Sequence, residues 1–169
     1  FLEKNAPKLA DWQRELVRIV RKVAQYFYPQ RQTKLMNEGC ATFVHYQILN
    51  TMYERGMLTE GSMLEFLHSH SSVVFQPTFN DRRYSGINPY ALGFAMMRDI
   101  ERIALDPTAE DKDWFPEFAG CGDAMATLRD AWANYRDESF VLQYLSPKLM
   151  RDFRFFALSD DARDPAVRI

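Results

Sequence analysis

Apolar residues recur every three or four positions along most of the chain, which is the period of an amphipathic helix rather than of a strand. The first such run has Asn5 in the N-cap position and Pro7 in the first turn, and Pro29 closes it. Its apolar stripe consists of Leu9, Trp12, Leu16, Ile19, Val20, Val23 and Phe27. The opposite face is rich in arginine and lysine, which is typical of the solvated side of a helix.

Three further helices have recognisable ends. One runs from about Thr33 to Arg55 and stops at the glycine that follows. Thr59 caps the next, and Asn88-Pro89 supplies an N-cap and a first-turn proline for a long helix. The sequence Thr108-Ala109-Glu110-Asp111 resembles a capping box, with Asp in place of the usual Glu or Gln.

The rest of the pattern predicts short elements. Helices are expected over Asp123 to Arg136 and Glu138 to Leu145, and Ser146-Pro147 caps a last short one. The apolar segments Val73 to Pro77 and Phe153 to Leu158 favour short strands. The sequence therefore predicts a mainly α fold, a single-domain bundle of about six to eight helices with minor short strands over the whole chain.

Composition narrows the class of protein. Hydrophobic residues make up 47% of the 169 positions and aromatics 14%, which excludes a disordered segment. A net charge of −2 gives no general attraction to nucleic acid, and no apolar run reaches the ~20 residues needed for membrane insertion. Two cysteines are too few for a disulfide framework, so a reducing cytoplasm is expected. With no initiator Met or signal peptide and an abrupt end, the chain is predicted to be a piece of a longer protein.

The strongest chemical candidates are Glu38 and His45, on the helix predicted from Thr33 to Arg55. At about 100° per residue they lie within ~20° of each other around the helix axis. Their companions on that face are apolar, namely Leu35, Ala41, Leu49 and Met52. The pair is therefore predicted on the buried side, where a carboxylate requires a cation or hydrogen-bond donors.

Two interpretations of this pair stay open. Seven residues of helix rise ~10.5 Å, so shared ligation of one metal ion by Glu38 and His45 is strained. In a functional site, one of them would bind a metal and the other would orient it, transfer protons or contact substrate. Thr42 lies between them and could bridge them by a hydrogen bond. In the structural alternative, the three form a satisfied buried network, or Glu38 pairs with an arginine of another helix.

Other candidates are weaker. Glu65 and His68 have the Glu-x-x-His spacing of carboxylate-bridged di-iron bundles, which require two such pairs and two further glutamates. His68 and His70 would share a side only in an extended segment. Cys40 is expected on the far face from Glu38, which makes a Cys–His nucleophile with His45 geometrically poor.

Several long segments together resemble the stage V sporulation protein R family (SpoVR-like proteins). The similarity runs from about Leu2 to Phe156 and covers the central part of a typical member. Where the family usually has tryptophan, this chain has Cys40 and Val44. The segments that carry the resemblance are Asn5-Ala6-Pro7-Lys8-Leu9, Tyr26-Phe27-Tyr28-Pro29-Gln30, Met36-Asn37-Glu38-Gly39, Tyr84-Ser85-Gly86-Ile87-Asn88-Pro89-Tyr90-Ala91-Leu92-Gly93-Phe94 and Gln143-Tyr144-Leu145-Ser146-Pro147-Lys148.

The resemblance implies a cytoplasmic bacterial protein tied to spore cortex formation or, in other bacteria, to a stress response. There it implies an operon partnership with a serine protein kinase and a von Willebrand A-like protein. It implies no settled reaction, so a non-catalytic regulatory or scaffolding module acting with the kinase is an alternative to an enzyme.

The segment Glu38-Gly39-Cys40-Ala41 is also similar to the helix that carries the third ligand in some zinc metallopeptidases. This likeness implies a hydrolase-like site with a divalent metal (zinc, iron or manganese) in the full-length protein. Glu38 would be a ligand, and His45 an acid–base group or a residue that orients a ligand. The N-terminal half of the full-length protein, outside this chain, would complete the site.

Overall fold

The computed structural model describes residues 1–155, and every regular element in that range is a helix. The mainly α fold is therefore confirmed, with nine helices in the described range. They are α1 (Leu2–Asn5), α2 (Asp11–Arg31), α3 (Lys34–Glu54), α4 (Glu60–Val73), α5 (Pro89–Leu105), α6 (Ala109–Trp114), α7 (Ala124–Asn134), α8 (Asp137–Tyr144) and α9 (Pro147–Asp152). No helix in residues 1–155 is both long enough and apolar enough to cross a bilayer.

The two predicted strands are not found. Helix α4 continues to Val73, and residues 74–77 form no regular element. Of the second predicted strand, Phe153 to Phe155 form a turn and an irregular residue, and positions 156–158 lie outside the described residues. Without a neighbouring strand to pair with, a short apolar segment gains nothing from an extended conformation.

The helix ends follow the predicted capping chemistry. The amides of Ser62 and Tyr90 donate to the side chains of Thr59 and Asn88, at 3.2 and 3.0 Å. At α6 the predicted capping box forms, because Thr108 and Asp111 exchange backbone-to-side-chain hydrogen bonds. These caps set where α4, α5 and α6 begin.

The first predicted helix is divided in two. Asn5 is the last residue of α1 rather than an N-cap, and α2 starts at Asp11 with Ala10 in the N-cap position. The Ala10 amide donates to the Gln13 side chain at 2.8 Å, which replaces the missing polar cap. Pro29 does not close the helix, since α2 continues to Arg31.

Contacts divide the chain into two units. The first comprises residues 1–34 and the second begins at Leu35, so the single domain expected from the sequence stays a prediction. In the first unit no residue of α2 is buried, so the predicted apolar stripe is not covered there. In the second unit the core surrounds α5. Its buried members are Met36, Phe43, Leu92, Met96, Met97, Ile100, Leu128, Ala131, Phe140, Tyr144 and Leu149.

A buried ion pair ties α6 to α5. The guanidinium of Arg102 donates to both carboxylate oxygens of Asp111, at 2.6 and 2.9 Å, and to Asp99 at 2.8 Å. Asp99 is 4% exposed and Asp111 2%, and Arg102 is the cation that neutralises both carboxylates within residues 1–155. The second oxygen of Asp99 is buried with no hydrogen bond among the described residues.

The N-terminus of α3 is capped from a distance. Both carboxylate oxygens of Asp137, in the first turn of α8, accept backbone amides of α3, from Leu35 and Met36 at 2.9 Å each. These amides have no partner inside their own helix, and the negative charge also complements the helix dipole. Asp137 therefore fixes the helix that carries Glu38.

Asp137→Ala is expected to lower the free energy of unfolding by about 1–2 kcal/mol, because two helix-terminal amides lose their acceptor. Urea unfolding followed by circular dichroism measures this change. Glu138→Ala is the matched control, since Glu138 is exposed in the same turn of α8. Equal midpoints for the two variants would contradict the capping role.

Candidate functional site

Helices α3 and α5 meet at two glycines. A Cβ atom built on Gly39 would lie 2.6 Å from the main chain of Gly93, and one built on Gly93 would lie 2.5 Å from the carbonyl oxygen of Leu35. Only glycine permits this approach of two backbones. The contact brings the start of α5 against the residue that precedes Gly39, which is Glu38.

At this crossing, the hydroxyl of Tyr90 donates a hydrogen bond to the Glu38 carboxylate. That bond, with burial and the negative charge of Glu38 as smaller causes, raises the pKa of the Tyr90 hydroxyl. Tyr90 therefore stays protonated at neutral pH and holds Glu38 in place. Pairing of Glu38 with an arginine was one alternative left open by the sequence, and the structure instead gives Glu38 a tyrosine partner that the sequence analysis did not consider.

A cleft of about 380 Å³ opens beside this pair. Helices α3, α4 and α5 form it, and the described residues that line it include no Asp, Glu, Lys or Arg. Its wall is mainly apolar, and the smaller polar part offers hydroxyl and imidazole groups. The lining residues are Ala41, Thr42, His45, Phe66, Ser69, His70, Val73 and Tyr90.

The predicted burial of Glu38 and His45 is wrong. Glu38 is half-buried and His45 is exposed at the cleft. The residues that α3 buries are Met36, Gly39, Thr42 and Phe43. Apolar side chains are spread around the whole of α3, so the sequence pattern favoured the wrong face.

Thr42 does not bridge the pair. Its hydroxyl donates to the main-chain carbonyl of Glu38, one turn earlier, at 2.6 Å. This is the usual local bond of a buried threonine in a helix. Glu38 and His45 therefore have separate surroundings, the first against Tyr90 and the second against the ring of Phe66, 5.1 Å away between centroids.

His70 is the cleft residue that the sequence analysis undervalued. Its ring packs on Tyr46, Phe66 and Phe94, with centroids 4.7–5.4 Å apart. Burial lowers the pKa of His70, and the nearby His45 lowers it further. His70 is therefore neutral at pH 7, and its Nε2 atom is buried without a hydrogen bond among the described residues.

The remaining sequence candidates lie apart from the cleft. Glu65 and His68 are both exposed on α4, and α4 is helical through Val73, so His68 and His70 do not share a side. Cys40 is half-buried, and burial raises the pKa of its thiol, which disfavours the reactive thiolate.

The donor groups at the cleft do not fit a metal ion by themselves. Within residues 1–155, no three His, Cys, Asp or Glu side chains are close enough together to hold one. The Glu38 carboxylate already accepts a hydrogen bond from the Tyr90 hydroxyl. Glu38, His45 and His70 do not form a group that could bind a metal ion together. A metal centre that uses Glu38 would need ligands from outside the described residues.

Comparisons with known proteins agree with the family resemblance of the sequence motifs. The family model described as "SpoVR like protein" matches residues 1–169. The "Uncharacterized protein YcgB" of Escherichia coli (strain K12) is 64% identical over 169 residues, which is all of this chain and 33% of that relative. The chain thus spans about a third of the length of the relative it matches. No solved structure matches it.

Proposed function

Because this chain belongs to the SpoVR-like protein family, we propose that it supplies one wall of a hydrolase-like site in a longer cytoplasmic protein. Glu38 and His45 are the residues it contributes, and the part of the protein outside residues 1–169 completes the site. Following the family, the biological role is in spore cortex formation or in a stress response.

The observation that supports this proposal is the open cleft. A purely structural Glu–His network would be closed off by neighbouring side chains, whereas His45 is exposed beside a cleft of about 380 Å³. An imidazole in this position can exchange protons with a bound molecule. The Glu38 carboxylate is oriented by the hydroxyl of Tyr90 rather than by an arginine.

A divalent metal (zinc, iron or manganese) in the full-length protein is part of the proposal. When bound, such an ion would acidify a water molecule for attack on an amide or ester. Glu38 is the one ligand assigned to this chain, because the described residues do not complete a ligand set. The role of His45 stands without the metal, as the exposed proton-transfer group of the cleft.

Glu38→Gln in the full-length protein tests the proposal by elemental analysis and thermal melting. We expect stoichiometric metal in the unmodified protein and its loss in the variant with the melt unchanged, because glutamine retains the shape and accepts from Tyr90. Tyr90→Phe is the matched control. It leaves the carboxylate but removes the group that orients it, so metal affinity should fall about 10–100-fold without being abolished.

One observation favours a second candidate, a non-catalytic regulatory or scaffolding module. Glu38 already has a hydrogen-bond partner within the chain, so the pair with Tyr90 can be complete as a structural contact. Such a module would act with a serine protein kinase and a von Willebrand A-like protein. Its signature is no metal in the unmodified protein and a lowered melt for Glu38→Gln.

A further inference from the structure

Helix α2 has a continuous apolar face that nothing in its own unit covers. Each of the six large apolar residues on this face is between 47% and 66% exposed. A stripe of six large apolar residues on one side of a 21-residue helix is typical of a buried interface. We define the α2 apolar face as Trp12, Leu16, Ile19, Val20, Val23 and Phe27.

The polar face of α2 is already occupied by α1. The Arg14 guanidinium donates to the carbonyl oxygens of Glu3 and Ala6, at 2.9 and 2.7 Å. Arg21 pairs with the Glu3 carboxylate at 3.3 Å. These contacts fix α1 on the side opposite the apolar face, so folding of this unit alone leaves the apolar face open.

A membrane surface is a poor fit for this helix. Amphipathic helices that bind anionic lipid present free lysine and arginine beside their apolar face. Three of the five basic side chains of α2 are engaged, since Arg14 and Arg21 contact α1 and Arg18 is paired with Glu15, which leaves Lys22 and Arg31. A protein groove, which needs no excess of free positive charge, suits the α2 apolar face better.

We propose that the α2 apolar face docks, within the full-length protein, into an apolar groove built by the polypeptide outside residues 1–169. Two thirds of the matched relative lies outside the region aligned with this chain, so twice as much polypeptide is available there as here. Because that polypeptide is linked to α2, its effective concentration at the α2 apolar face is in the millimolar range. It therefore binds this face in preference to a free partner protein. Trp12 and Phe27 supply the large aromatic anchors of such contacts.

Site-specific photo-crosslinking in the full-length protein tests this inference. Phe27 is replaced by p-benzoylphenylalanine, and in a control protein Gln25 is replaced instead. The two positions are neighbours in sequence but lie about 160° apart around the helix, and both are exposed. After irradiation, the linked peptides are identified by mass spectrometry.

Links from position 27 to peptides outside residues 1–169, absent from position 25, are the expected result. Links to residues 35–169, to an isotopically labelled second copy, or to co-purified lipid would each overturn the proposal. A photoreactive position 27 that forms no link at all would also overturn it.

Hydrogen exchange provides a second readout that does not depend on the crosslinker. In the full-length protein, Val20→Asp should speed exchange of the α2 amides about tenfold, because the docked state is lost. Gln25→Asp introduces the same residue on the polar face and should leave exchange within about twofold of the unmodified protein. Equal effects of the two substitutions would overturn the proposal.

Discussion

Gly93→Ala is expected to destabilise the protein by about 3 kcal/mol or more, because overpacking that displaces backbone exceeds the usual 1–3 kcal/mol range. The added methyl group would lie 2.5 Å from the Leu35 carbonyl oxygen and 2.7 Å from the Gly39 Cα atom. These are main-chain atoms of α3, so no side-chain rotation relieves the clash and the two helices must separate. Urea unfolding followed by circular dichroism measures the loss.

Gly61→Ala is the matched control. Gly61 is also helical, in α4, but a Cβ atom there would meet nothing within 4 Å. Alanine should therefore stabilise the protein by up to about 1 kcal/mol through its helix propensity. An unfolding midpoint for Gly93→Ala equal to that of the unmodified protein would show that α3 and α5 do not approach as closely as described.

Gly93→Ala should also disrupt the candidate site. Separating α3 from α5 moves Tyr90 away from Glu38, so the cause of the raised Tyr90 pKa is removed. Ultraviolet titration of the tyrosines should then show one hydroxyl ionising at lower pH than before. Gly61→Ala should leave this titration unchanged.

The second large loss of stability is expected when the cation of the buried ion pair, Arg102, is removed. Arg102→Met is expected to lower the free energy of unfolding by about 3–5 kcal/mol at pH 7, because the carboxylates of Asp99 and Asp111 would remain buried without a cation. Arg151→Met is the control. Arg151 makes an equally bidentate pair with Glu110, the neighbour of Asp111, but both side chains of this pair are exposed and little change is expected.

The ion pair also predicts a pH dependence. Arg102, and to a smaller extent Thr108, hold the pKa of Asp111 well below its usual range. A carboxyl whose pKa is lowered by folding stabilises the protein above the unfolded value of about 3.9, and this stabilisation is lost as the pH falls towards the folded value. Unfolding free energies should therefore decrease on acidification below about pH 4.

In Arg102→Met the contribution of these carboxylates to stability changes with pH in the opposite direction. The unpaired, buried carboxylates should have raised pKa values, so lowering the pH protonates them and removes part of the destabilisation. The difference in stability between variant and unmodified protein should be smaller at pH 4 than at pH 7. A difference that is constant with pH would contradict the electrostatic origin of the effect.

Local chemistry made much of the helical architecture predictable. Thr59, Asn88 and the Thr108–Asp111 box begin helices where the sequence analysis placed them, because each cap satisfies amides within three residues of itself. The residue that caps the start of α3 could not be predicted in this way. Its cap, Asp137, lies about 100 residues away and is recognised only once α8 is placed.

The candidate site was predicted in part. Glu38 and His45 are near the cleft, but the residue that holds Glu38 is Tyr90, and the ring that shares the cleft with His45 is His70. Tyr90 and His70 reach the site only because α4 and α5 pack against α3. No spacing along the sequence reports such contacts between helices.

The sequence by itself determined that the chain is helical, where most helices begin and end, and to which family it belongs, because propensity, capping and motifs act over a few neighbouring residues. Tertiary structure decided which face of α3 is buried, which partner Glu38 has, and that α1 packs on the polar face of α2 and leaves the α2 apolar face uncovered within its own unit. The reason is physical: burial and pairing depend on the backbone approach at Gly39 and Gly93 and on contacts far apart in sequence.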